Sequence, residues 1–134
     1  MESTVFEVHT GSRPVIVDLT SEIDEFCTGR GDGLVNVFAP HATCGVAVIE
    51  TGAGSDGDLL AAIDRILPRD DRWQHSHGSP GHGADHVLPA LVSPSVTLPV
   101  VDGSIALGAW QSVVLVDLNR DNESRKVRFS FLAG

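Results

Sequence analysis

Short runs rich in valine and isoleucine, each cut off by glycine, proline, asparagine or aspartate, recur from one end of this chain to the other. β-Branched side chains pack well on a pleated surface, so such runs read as strands. Val5–Thr10 and Val15–Leu19 come first, linked by the turn-rich Gly11-Ser12-Arg13-Pro14. Leu34–Phe38 and Gly45–Ile49 follow, the latter continuously apolar, as in a strand buried on both faces. In the second half Val87–Val92, Thr97–Val100, Ile105–Trp110, Val113–Leu118 and Lys126–Leu132 have the same character. Asp102-Gly103 is a strong hairpin turn and Asn119–Ser124 reads as a second. Pro89, Pro94 and Pro99 mark nearby strands as edges or interruptions.

Two segments carry helical spacing instead. Thr20 or Ser21 caps a short helix whose inner face is Ile23, Phe26 and Cys27, and Gly29 ends it. After the turn at Thr51–Ser55, Leu59, Leu60, Ile63, Ile66 and Leu67 recur with helical period until Pro68 stops them. The order is ββαββα followed by strands, without the βα alternation of a parallel doubly wound sheet. The expectation is therefore an α+β fold: a single domain over residues 1–134, mostly antiparallel and sandwich-like, with two helices.

Bulk properties narrow the functions. A chain of 134 residues with 42% apolar content can bury a real core. No run approaches the ~20 apolar residues that cross a bilayer, and the first residues show no basic-then-apolar leader. Cys27 and Cys44 are too few for a disulfide scaffold, so the cytoplasm is the expected compartment. The net charge of −9 repels nucleic acid and acidic membranes. A small phosphorylated ligand remains compatible with that field where local arginines or a bound cation overrule it.

Histidine carries the clearest chemical signal. Imidazole is a common ligand of zinc and titrates near neutral pH. His75-Ser76-His77 sits in a polar loop, and His82 and His86 are four residues apart, although Gly81 and Gly83 argue against a helix there. His41 follows Pro40 at a strand break, and Glu50 closes the strand that starts beyond it. Their odd separation puts them on opposite faces of one continuous strand, so a shared site requires a bend or a neighbouring subunit. Cys44 lies near His41 but inside an apolar run, where a buried thiol is expected rather than a nucleophile. Trp110 reads as core or as a stacking surface, and Gln111 as a group able to orient a ring nitrogen. Arg125, Lys126 and Arg128 form a compact basic cluster, read either as a solvated strand edge or as an anion site.

These features stand in the order of the YjbQ-like family, also called the secondary thiamine-phosphate synthase family. HATCGVAVIE resembles its His-Thr-Ser strand start with a closing glutamate and brings in His41, Thr43 and Glu50. WQHSH resembles its aromatic-x-His loop through His75. DHVLPALVSPSVTLPVVDGSIALGAWQ resembles its middle, with His86, Gly108, Trp110 and Gln111, and Asp117 and Arg125 follow at its acidic and arginine positions. Ala42, Ile49, Pro89 and Ala109 depart from the pattern.

The resemblance implies a homotrimer with sites between subunits. It also implies coupling of a pyrimidine diphosphate to a thiazole phosphate with release of pyrophosphate. His41, Glu50, His75 and His86 are then the catalytic candidates, and Thr43, Trp110, Gln111 and Arg125 the ligand-binding ones. His41, His75 and His86 would hold a divalent metal, zinc first, with magnesium compatible with a pyrophosphate substrate. Metal-dependent hydrolysis of a small phosphorylated substrate and a non-catalytic trimeric ligand-binding role are the alternatives.

Overall fold

The computed structural model describes residues 1–134, and its valine-rich runs build two antiparallel sheets that close on one core. Along the chain the elements are β1 (Glu2–His9), β2 (Val15–Asp18), α1 (Thr20–Cys27), β3 (Gly33–Phe38), β4 (Cys44–Ile49), α2 (Ser55–Ile66), α3 (His82–Leu91), β5 (Ser95–Val101), β6 (Ser104–Ile105), β7 (Ser112–Asp117) and β8 (Ser124–Ala133). One sheet has the order β1-β8-β3-β5-β6 and the other β2-β7-β4. Every pairing is antiparallel.

The layering follows from side-chain alternation. Along β8, Arg125, Val127, Phe129 and Phe131 all point inward while their neighbours face out. Val127, Phe129 and Phe131 meet Val35 and Val37 of β3, Val113 and Leu115 of β7, and Leu19, Ile23 and Cys27 around α1. β7 is buried on both sides, because Val114 and Val116 face the opposite way, onto Ile63, Leu67, Ala84 and Leu88 of the α2–α3 layer. Fully burying each such aliphatic side chain stabilises by about 1.5–3 kcal/mol.

Four expectations need correction. There are three helices, not two: His82–Leu91 is α3, although its apolar run reads as a strand and contains Pro89. The glycine that argues against this helix is a packing requirement. A Cβ on Gly83 would collide with Trp73 and the His75 carbonyl, so only glycine lets that loop lie against the helix. Secondly, the 105–110 strand reduces to Ser104–Ile105, and the chain then turns through 106–111. Thirdly, Asn119–Ser124 makes no hairpin, because β7 and β8 belong to different sheets. Finally, Arg125 is no solvated edge residue: it is 2% exposed. The Asp102-Gly103 hairpin forms as expected between β5 and β6, both residues taking positive φ.

Gly45 marks where β4 meets the end of α3, since a Cβ there would strike the Val92 carbonyl. Gly45→Ala should therefore cost about 1–3 kcal/mol of stability, measured as a lowered denaturant midpoint. An unchanged midpoint would contradict this close approach.

Candidate functional site

The ends of β4, β7 and β8 meet at a buried ion pair. Cys44 is in register with Asp117, which places Thr43 and Asp117 side by side where the two sheets converge. Arg125 of β8 donates from Nε to Asp117 Oδ2 at 2.7 Å and from Nη2 to Oδ1 at 2.9 Å. Nη2 also donates to Thr43 Oγ1 at 2.7 Å, and the Asn119 backbone N–H donates to Asp117 Oδ1 at 2.9 Å. Burial works to discharge the guanidinium, but the hydrogen bonds and charge of Asp117 outweigh it and hold Arg125 more basic than usual. The bidentate grip that an anion site would have required of Arg125 is thus given to Asp117.

His41 lies over this pair, with Nε2 2.9 Å from the Lys126 backbone N–H and 3.1 Å from the Lys126 carbonyl oxygen. Burial, with the nearby Arg125 charge, pushes its pKa below the ordinary histidine value, so the ring favours its neutral form. Burial also drives the Cys44 thiol up to about 11, which leaves it a core residue rather than a nucleophile.

Four further imidazoles converge from α3 and the loop before it. Trp73 anchors that loop by donating from its indole N–H to the Pro68 carbonyl at 2.9 Å. The His75 ring packs 3.9 Å, centroid to centroid, from both His77 and His86. His82 and His86, one helical turn apart, cross edge to face at 4.8 Å with their Nε2 atoms 3.1 Å apart. Burial, followed by the neighbouring His75, His82 and His77, lowers the His86 pKa. Behind His82 stands Asp85, fully buried and paired with Arg69. Burial pushes the Asp85 carboxyl up, while Arg69 and His82 pull it back.

The two groups share an open cleft of about 390 Å³ bordered by His41, Thr43, His77, His82, His86 and Arg125. His75 joins it through its packing on His86, and His9 lies elsewhere, on β1. His82, expected only as an accessory ring, and Asp85, not singled out by the sequence, are prominent here; the signal for them was the His82-x-x-Asp85-His86 spacing on one helix, masked by the flanking glycines. As they stand, no three His, Cys, Asp or Glu side chains surround a common point able to hold a metal ion.

Glu50, Trp110 and Gln111 are not brought here. Ile49 is in register with Ser112, which puts all three at the far end of the β4–β7 pair, roughly 17 Å of strand from Cys44 and Asp117. Glu50 is exposed, Trp110 is 77% exposed rather than core, and Gln111 accepts the Gly108 backbone N–H at 2.7 Å. Within one chain they form a second locus.

Two facing antiparallel sheets, backed by two helices and opening onto a histidine-lined cleft, define the class of protein. The chain belongs to the family described as UPF0047 protein YjbQ-like, whose pattern matches residues 4–134. It is 62% identical over 134 residues to a UPF0047 protein of Mycobacterium tuberculosis, covering 100% of both chains. It is 28% identical over 119 residues to the UPF0047 protein YugU of Bacillus subtilis, covering 84% of this chain and 86% of that one. Among solved structures it resembles a hypothetical protein from Aeropyrum pernix K1 with TM-score 0.90 and 29% identity, covering 100% of each chain. A YbjQ-like protein of unknown function from Sulfolobus solfataricus shares the fold with TM-score 0.91 at 21% identity, covering 99% and 97%. No helix is long and apolar enough to cross a membrane.

Two outcomes follow from this geometry. Arg125→Ala strands a buried Asp117 and should destabilise by about 3–5 kcal/mol, whereas Arg125→Met with Asp117→Leu should recover much of the loss. Chemical denaturation measures both, and a near-native Arg125→Ala variant would contradict the pair. The folded-state pKa values of His41 and His86 lie below the ordinary ~6.5. The unfolded chain therefore takes up protons first as pH falls. Their stabilising contribution is present above pH ~6.5 and is lost progressively below it. Thermal melts of chelator-treated protein from pH 8 to pH 5 should show that decline; a melting temperature rising on acidification would contradict it.

Proposed function

We propose that this protein is a transferase acting on small phosphorylated heterocycles at the histidine cleft. In this reading it couples a pyrimidine diphosphate to a thiazole phosphate, the secondary thiamine-phosphate synthase reaction that its family resemblance implies. One observation carries the reading: four imidazoles line one cleft and a fifth, His75, packs on His86 beside it, while the guanidinium behind it is already neutralised by Asp117. An anionic substrate approaching a chain of net charge −9 then has to be met by protonated imidazole or by a bound cation.

Two of the imidazoles, His82 and His86, are spaced for a divalent cation, zinc first. The Nε2 atoms of His82 and His86 are 3.1 Å apart, close to the ~3.3 Å edge of a tetrahedron with zinc–nitrogen bonds of ~2.0–2.1 Å. His82 and His86 would hold the ion, with His75 as the next ring in reach. His41 serves better as a substrate-facing group, because its Nε2 is engaged with Lys126. A bound divalent ion would supply a Lewis acid for the charge that develops on departing pyrophosphate. His41 and Thr43 would orient the substrate over the cleft.

The assembly proposed is a homotrimer. It would let the Glu50–Trp110–Gln111 locus of one subunit complete the histidine cleft of the next, the two loci being too far apart to meet within a chain. Light scattering should give three times the 14.2 kDa chain mass, and a monomer at all concentrations would end that part of the reading.

The chemistry is tested by incubating the purified protein with both substrates, with zinc or magnesium and after chelation. Product should form in proportion to protein and fall at least ~10²-fold in His86→Ala, the scale of a lost acid–base or ligand group. Equal product from wild type and variant would point to a contaminant and sink the transferase reading.

A further inference from the structure

His82 carries an arrangement that the cleft alone does not explain. Its ring is nine-tenths buried in the first turn of α3, with Nδ1 3.3 Å from Asp85 Oδ2 and 3.1 Å from Asp121 Oδ2. Neither contact is aligned as a full hydrogen bond, yet His82 Nδ1 and Asp85 Oδ2 have no other partner in the interior. A buried polar atom left unpaired costs free energy. As an ionised carboxylate Asp85 Oδ2 can only accept, and in that state both atoms are satisfied when the imidazole proton is on Nδ1.

Asp85 is not free to turn away from this task. Arg69 Nη1 donates to Asp85 Oδ1 and also to the Leu118 carbonyl at 3.3 Å, tying the carboxylate to the end of β7. That clamp leaves Oδ2 as the oxygen facing His82. Asp121, in the connection from β7 to β8, approaches the same nitrogen, while its Oδ2 accepts the Ser79 backbone N–H at 3.2 Å and faces the Ser79 hydroxyl at 3.3 Å.

We infer that Asp85, clamped by Arg69, is a positioning residue that fixes His82 as its Nδ1–H tautomer and so aims the bare Nε2 lone pair at His86. In the metal-free chain His86 must then donate its own Nε2–H across the 3.1 Å gap. The functional consequence rests on the proposed cation reading. A divalent ion taking the place of that shared proton finds one nitrogen already prepared and releases a single proton from His86. Carboxylate partners of this kind orient ligating histidines and raise their basicity.

Nitrogen-15 NMR of histidine-labelled, metal-free protein at about pH 8.5 reads the tautomers directly. The wild type should show His82 protonated on Nδ1 and His86 on Nε2. Arg69→Met with Asp85→Leu removes both charges together, which keeps the fold available for comparison. In that folded variant His82 should move toward the Nε2–H form, and zinc affinity by calorimetry should fall about 10–100-fold. Wild-type His82 protonated on Nε2, or an unchanged Nδ1–H form in the folded double variant, would overturn the assignment. A tautomer shift in protein that binds no zinc at all would uphold the role of Asp85 while sinking the cation reading.

Discussion

The buried Arg125–Asp117 pair is the constraint on which the rest of the site depends. One partner sits on β8 of the five-stranded sheet and the other on β7 of the three-stranded sheet, so the pair bridges the layers where their strands end. Thr43 joins it from the approach to β4. Each polar atom that the pair removes from water is costly, and the geometry compensates with two parallel charge-assisted hydrogen bonds. The cleft lies directly over this bridge, its floor set by hydrogen bonds and not by loop packing.

The histidine wall is built differently. It depends on α3 accepting a loop against its first turn, which Gly83 permits and Trp73 anchors. Imidazoles from the loop and from the helix thereby pack against one another, tilted or edge to face. One wall is thus mortised to the sheet bridge and the other to the α2–α3 layer.

Much of this was legible in the residues. Most of the strands, the inner face of α1, most of that of α2 and the Asp102-Gly103 turn follow from period and turn chemistry, which are local. The alternation of Arg125, Val127, Phe129 and Phe131 carries the inward face of β8, but the charge of Arg125 and its basic neighbours favour a solvated edge or an anion site over burial in the core. What could not be read locally was tertiary. Gly83 looked like a helix breaker because the Trp73 contact that requires it comes from ten residues earlier. The importance of Asp85 depends on Arg69, brought beside it by the docking of α3. The separation of Glu50, Trp110 and Gln111 from the histidines follows from the β4–β7 register, although motif order alone sets them together.

The central claim is that the convergent imidazoles form a ligand site built around His82 and His86. Crystals grown with zinc, with diffraction collected on both sides of the zinc absorption edge, test it most directly. The account predicts an anomalous peak ~2.0–2.1 Å from Nε2 of both His82 and His86, with Asp85 still behind His82. Zinc bound elsewhere on the chain, with the His82–His86 contact unchanged, would contradict it.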